Sequence, residues 1–228
     1  MTEPNQPNDA TTVGISSEVG LGSAVFRAAW LAILFGFTME ILLLLFTARF
    51  QIFPGLESML ADLVGKVSWS TLVCAGLALG TIVSKARAPL MGLLGFLAAP
   101  LAFHVSRTLQ QGVAKTLEVA AVGAPIASQT LLLLALLKAL EYGCLGVAVG
   151  WVGRHRWGGA LAHAAVGLAV GIFFGGVIVS LTYWTAAEPL AATDLFLRSI
   201  NELLFPVGCS LVLYAATALG EHVRAGSK

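Results

Sequence analysis

Long apolar runs separated by short polar breaks determine what this chain can fold into. Spanning the ~30 Å hydrocarbon core of a bilayer takes about 20 helical residues, each rising ~1.5 Å. Charged residues make up only 11% of the chain, against about 25% in soluble domains, so the chain could not cover its surface in water. The sequence therefore predicts an all-α polytopic membrane helix bundle with about six transmembrane helices. The six segments are about 26–47, 67–84, 88–106, 129–153, 160–184 and 196–219.

Polar ends flank this predicted transmembrane domain, which covers residues 23–222. Residues 1–22 are rich in Thr, Asn, Pro, Ser and Gly and lack Lys and Arg. This composition predicts a disordered tail, with a docking peptide as the alternative, and it lacks the basic start and early apolar run of a secretory signal. Residues 223–228 form a short C-terminal tail.

Basic residues at the ends of the spans predict the orientation. Seven lie on one side of the predicted membrane: Arg27, Lys85, Arg87, Arg154, Arg156, Arg224 and Lys228. Five lie on the other: Arg49, Lys66, Arg107, Lys115 and Arg198. The excess predicts a cell (inner) membrane protein with both termini in the cytoplasm.

Two longer breaks fall on the predicted non-cytoplasmic side. In residues 54–66, apolar side chains recur at helical spacing after Pro54 and acidic ones take the other face, which predicts a short helix in the membrane interface. Residues 107–120 show a looser version of the same pattern. The alternative is that each segment is only a connection packed over the bundle.

Small residues on one helix face predict where helices pack closely. Glycines recur every four residues on three of the spans: Gly76 and Gly80, Gly146 and Gly150, and Gly167, Gly171 and Gly175. The words GLALG (76–80) and GLAVG (167–171) nearly repeat each other, which suggests a 3+3 pseudo-repeat of the kind common in transporters. Chance similarity between Gly-Leu-Ala-rich segments is the alternative.

Three charged residues lie inside the predicted spans. Glu40 follows Arg27 by 13 residues, and Glu141 precedes Arg154 by 13, so both carboxylates lie roughly 20 Å from the same membrane face. Lys138 is one helical turn before Glu141 on the same helix face. Because a lone charge at this depth costs at least about 2.5–3.5 kcal/mol, these residues are predicted to form one cluster inside the bundle.

Two interpretations of this cluster remain open. In the structural one, Lys138 bridges Glu40 and Glu141 and holds the helices in register. In the functional one, two acids that share one lysine bind a proton or a cation during transport.

Further polar residues collect toward the predicted non-cytoplasmic end, as a candidate outer vestibule. They are His104, Arg107, Arg198, Asn201 and Glu202, with Pro206 one turn after the last of them. The alternative is that they are ordinary interfacial ends of helices.

Signatures of other functions are missing from the sequence. It has no HExxH zinc motif, no GxSxG elbow and no helical pair of metal-binding carboxylates, so neither catalysis nor a metal or cofactor is predicted. The net charge of +1 excludes a nucleic-acid partner. Cysteines 74, 144 and 209 lie far apart inside apolar segments and are predicted to be packing residues.

Two functional classes fit these features. The first is a permease- or channel-like protein that moves an ion or small solute. The second is a non-catalytic scaffold or assembly subunit that docks to a membrane-protein partner or to further copies of itself. A water-accessible cavity beside Glu40 would favour the first, and a dry, ion-paired core would favour the second.

Overall fold

A computed structural model describes residues 10–51, 55–81, 86–118, 128–186 and 189–226. These residues form helices and their connections, without a strand in any of the described ranges. The helices are α1 (Ala10–Arg49), α2 (Leu56–Leu79), α3 (Arg87–Thr116), α4 (Ser128–Val152), α5 (Ala160–Thr185) and α6 (Ala192–Gly226). All six are long and apolar enough to cross a membrane, which confirms the predicted all-α bundle of six spans.

The helices extend beyond the predicted spans at several ends. Residues 10–22, assigned from sequence to a polar tail, form the first turns of α1, and residues 223–226 form the end of α6. Residues 1–9 of the predicted N-terminal tail and 227–228 of the C-terminal one lie outside the described residues. So does Lys85, which contributed to the predicted orientation.

The prediction of two separate interfacial helices, at 54–66 and at 107–120, is wrong. Residues 56–66 are the first part of α2, and residues 107–116 are the last part of α3. The reason is that their polar side chains find partners between helices: Gln110 Nε2 donates a hydrogen bond to Asp62 Oδ1 over 2.6 Å. Paired in this way, these residues do not need to leave the bundle. Residues 119 and 120 lie outside the described part of the chain.

Neighbouring helices pack in sequence from α1 to α4, and α6 packs against both α5 and α1. The interior contains fully buried Leu77, Met91, Tyr142, Leu145 and Cys209. α1 lies along much of α2, whereas the corresponding contact between α4 and α5 is small. The two predicted three-helix halves therefore pack differently, and the pseudo-repeat stays a prediction.

Glycines line the close helix contacts. A Cβ atom added to any of the seven predicted packing glycines would lie 2.3–3.1 Å from a heavy atom of a neighbouring helix. Gly76 and Gly80 of α2 face α3; Gly146 and Gly150 of α4 also face α3; Gly167, Gly171 and Gly175 of α5 face α6. These glycines let the helix backbones approach more closely than side chains would allow.

Candidate functional site

The most deeply buried charges form a cluster between α4 and α6. Lys138 Nζ lies 2.9 Å from Glu141 Oε2 and donates a hydrogen bond to Glu202 Oε2. Their side chains are 10%, 0% and 13% exposed, in that order. We call these three residues the Lys138 cluster.

Two aromatic rings cover the ammonium group of this cluster. Lys138 Nζ lies 5.6 Å from the ring centroid of Trp69 on α2 and 5.8 Å from that of Tyr142 on α4. Trp69 Nε1 donates a 3.4 Å hydrogen bond to the hydroxyl of Tyr142. A cation over the faces of desolvated aromatic rings is attracted by their quadrupoles, so the rings help to hold the lysine in its charged form.

The Lys138 cluster is not neutral if all its groups are ionised. It has two carboxylates and one ammonium group, a formal charge of −1. Glu141 is fully buried; Lys138 Nζ faces its Oε2, and no described residue donates a hydrogen bond to its Oε1. A buried carboxylate that shares one cation with a second carboxylate is costly, and the cost falls if it takes up a proton or if a further cation binds beside it. Asn201 Oδ1, next to Glu202 in the sequence, is also buried without a donor among the described residues.

The backbone around Glu202 departs from regular α-helix on both sides. α5 contains a π-helical turn at Gly171–Gly175, and a Cβ atom on Gly175 would lie 3.1 Å from Glu202 Cβ. On α6, Pro206 has no N–H to donate to the carbonyl of Glu202 one turn before it. π-helical turns often occur at functional sites, and irregular helices surround the binding sites of many transporters.

A second cluster of charges lies between α1, α2 and α3. Lys66 Nζ is 2.5 Å from Glu40 Oε2 and 4.0 Å from Asp62 Oδ2. Asp62 accepts the hydrogen bond from Gln110 described above. The side chain of Asp62 is 35% exposed, against 9% for Glu40. We call these four residues the Lys66 cluster.

The structure corrects the composition of the predicted charge cluster. Glu40 is 7% exposed and faces the bundle, as predicted, but its partner is Lys66 and not Lys138. Lys66 was missed because it was assigned to the predicted interfacial helix at 54–66, just before the second span. Glu202, the second partner of Lys138, was assigned to the vestibule. The signal for it in the sequence was Pro206, one turn later on the same helix.

The other predicted vestibule residues do not join either cluster. His104 and Arg198 are exposed, and Arg107 is partly buried. α3 carries His104 and Arg107, α6 carries the others, and these two helices share almost no contact in the described part of the chain. No contact therefore unites the predicted vestibule.

Neither of the two best-formed depressions of the described ranges adjoins a charge cluster. The two best-formed depressions are shallow and apolar, one on the last turns of α3 and one between α3 and α4, and neither is lined by a charged residue. The described residues also contain no group of three or more His, Cys, Asp or Glu side chains placed to hold a metal ion.

Six apolar helices with charged groups paired inside the bundle define a multi-pass integral membrane protein. The chain matches no family model, and no curated protein and no solved structure is significantly similar to it.

Proposed function

We propose that the protein is a permease-like transport protein in which the Lys138 cluster binds a proton or a monovalent cation. The single observation that carries this proposal is the charge excess of the cluster. Glu141 and Glu202 share one lysine, and the buried Oε1 of Glu141 receives no hydrogen bond from any described residue. A proton or cation would supply the missing positive charge.

The contact between α5 and α6 beside the Lys138 cluster is suited to a movement of one helix along the other. The α5–α6 interface is lined by Gly167, Gly171 and Gly175, which place α5 directly against the backbone of α6. The smooth backbone contacts, the π-helical turn and the proline lie at one level of the bundle. Together they offer little resistance to a small shift of α5 along α6. Such a shift would change the surroundings of Glu202 and give the proton or cation access from alternate sides.

Flux measurements on reconstituted vesicles test the proposal. The full chain is inserted into liposomes that contain a pH-sensitive dye, and a potassium diffusion potential is imposed with valinomycin. We expect proton entry above that of empty liposomes, or Na⁺ entry in a parallel experiment with a sodium-sensitive dye. Glu141→Gln, which keeps the shape of the side chain but cannot ionise, should abolish the flux.

The matched control is Glu57→Gln, the same chemical change at an exposed position in the first turn of α2. It should leave the flux unchanged. Wild-type vesicles no more permeable to protons or Na⁺ than empty ones would overturn the transport proposal, as would an unchanged flux in Glu141→Gln.

A non-transporting assembly subunit is the second candidate. The observation that favours it is the packing of both clusters: their ion pairs are buried, and neither well-formed depression of the described residues reaches them. In that case the Lys138 cluster fixes how α4 and α6 fit together. The protein would then copurify with a larger membrane assembly, and its vesicles would be silent in the flux experiment.

The orientation is also part of the proposal. The basic bias places both termini on the cytoplasmic side of a cell membrane. A reporter fused after Arg156 should be cytoplasmic, and one fused after Leu190 should be on the opposite side. The reverse result would invert the orientation without affecting the site.

A further inference from the structure

A shallow apolar groove runs along the outer face of the bundle between α3 and α4. It has a volume of about 610 Å³, and its lining includes Gly92, Phe96, Leu140, Gly143, Val147 and Trp151. Leu140 and Trp151 are 11 residues apart on α4, which corresponds to ~16 Å of helix. This length matches one leaflet of a hydrocarbon core that is ~30 Å thick in total.

Three aromatic rings stand at one end of this groove. Trp151, His155 and Trp157 pack with ring centroids 4.4–5.5 Å apart. The two tryptophans are 52% and 56% exposed. Exposed tryptophans at the end of a spanning helix are typical of the level of the lipid headgroups, so the groove extends from that level into the bilayer.

Three arginines surround the same end of the groove. Arg154 and Arg156 are exposed in the turn between α4 and α5 and form no ion pair with any described residue. The guanidinium group of Arg87, at the start of α3, lies beside Gly153: a Cβ atom there would be 3.6 Å from it. Arg87 is within electrostatic range of Glu221, and its Nε atom is buried without a hydrogen-bond partner among the described residues. The end of the groove therefore carries a net positive charge.

We propose that this groove binds an anionic glycerophospholipid. One acyl chain lies in the groove, against Phe96, Gly143 and Val147, and the phosphate lies among the arginines at its end. The apolar lining matches the chain, the tryptophans match the glycerol level, and the guanidinium groups of Arg154 and Arg156, which pair with no described acid, match the negative headgroup. Basic pockets between spanning helices are suited to such headgroups. This site does not depend on the proposed transport and shares no residue with either charge cluster.

Native mass spectrometry of the full chain in detergent tests the site. The probes are dioleoylphosphatidylglycerol, which is anionic, and dioleoylphosphatidylcholine, which has the same acyl chains but no net charge. We expect one phosphatidylglycerol molecule to be retained per chain in preference to phosphatidylcholine. The double change Arg154→Gln and Arg156→Gln should weaken its binding by roughly 20- to 30-fold, because each arginine near a headgroup adds to the attraction.

The control is the double change Arg49→Gln and Lys115→Gln, which removes two exposed basic side chains from the opposite end of the bundle. It should leave the preference for phosphatidylglycerol intact. Equal retention of the two lipids by the wild type would overturn the proposal. An equal loss in the control variant would also overturn it, because the attraction would then be general to basic side chains.

Cys144 provides a second readout that needs no arginine variant. It is exposed and lines the groove, whereas Cys74 and Cys209 are buried. In lipid nanodiscs, a membrane-permeant maleimide should modify Cys144 more slowly when phosphatidylglycerol is present than in phosphatidylcholine alone. Cys144→Ser serves as the blank. A rate that does not depend on the headgroup would contradict an anionic lipid in the groove.

Discussion

The Lys66 cluster and the Lys138 cluster contain the same charged groups in different surroundings. Each has two carboxylates around one lysine, a formal charge of −1. In the Lys66 cluster the surplus acid is Asp62, which is 35% exposed and accepts a hydrogen bond from Gln110. In the Lys138 cluster both acids share the ammonium group, and Glu141 is 0% exposed with no hydrogen bond to its Oε1 from any described residue. The charge excess is thus partly exposed in one cluster and buried in the other.

The helices that hold the two clusters differ as well. α1, α2 and α3 are continuous α-helices at the level of the Lys66 cluster. Beside the Lys138 cluster, α5 forms a π-helical turn and α6 contains Pro206. The comparison indicates that the number of charges alone does not identify a functional site. Burial of the surplus charge, together with irregular backbone, distinguishes the Lys138 cluster from an ion pair that mainly joins helices.

The largest effect is expected from Lys138→Met. It leaves two buried carboxylates without their shared counter-ion and should lower the free energy of unfolding by about 3–5 kcal/mol. Adding Glu141→Gln removes one of those charges and should recover much of the loss. The measurement is unfolding of the single and double variants in mixed detergent micelles. No recovery in the double variant would mean that Lys138 stabilises the fold through packing on Trp69 and not through charge.

The next effect concerns the contact of α5 with α6. A Cβ atom at Gly171 would lie 2.6 Å from the carbonyl oxygen of Leu203. Gly171→Leu should therefore push the helices apart and cost about 1–3 kcal/mol through overpacking. The matched control is Gly176→Leu on the same helix, where a Cβ atom meets nothing within 4 Å. Thermal unfolding in detergent compares the two; equal losses would show that the effect does not come from the contact with Leu203.

Sequence alone predicted the bundle and much of its packing, because the length of apolar runs and the spacing of glycines are local features. It also placed Glu40, Lys138 and Glu141 inside the membrane. It failed on which charges pair, because pairing depends on which helices become neighbours. The rule that charged residues mark the ends of spans also made the predicted second span begin too late, after Lys66, whereas α2 begins at Leu56. A charged residue can extend a spanning helix when a partner on the next helix offsets its cost.

The pairing in the Lys66 cluster predicts a specific coupling. Glu40→Gln and Lys66→Met should each be destabilising, by about 1–2 kcal/mol, less than Lys138→Met because the side chain of Lys66 is more exposed, 16% against 10%. Combined, they should show a clear coupling energy in a double-mutant cycle. The control cycle pairs Glu40→Gln with Lys138→Met, residues with no common partner, and should be additive within ~0.5 kcal/mol. Strong coupling in this control cycle would mean that Glu40 and Lys138 belong to one cluster, as the sequence predicted.

The smallest effect is expected from Asp62→Asn. This change tests the Lys66 cluster, the more exposed of the two. Asp62 is the surplus acid of the Lys66 cluster, its side chain is 35% exposed, and Gln110 can still hydrogen-bond to an asparagine oxygen. Removing its charge should change the free energy of unfolding by no more than about 0.5 kcal/mol. Glu141→Gln, which likewise replaces a carboxylate by an amide, should abolish proton or Na⁺ flux, whereas Asp62→Asn should leave the flux at the wild-type level. Loss of flux in Asp62→Asn, with normal stability, would place the transported ion at the Lys66 cluster. Burial would then not be what separates a transport site from a structural pair in this bundle.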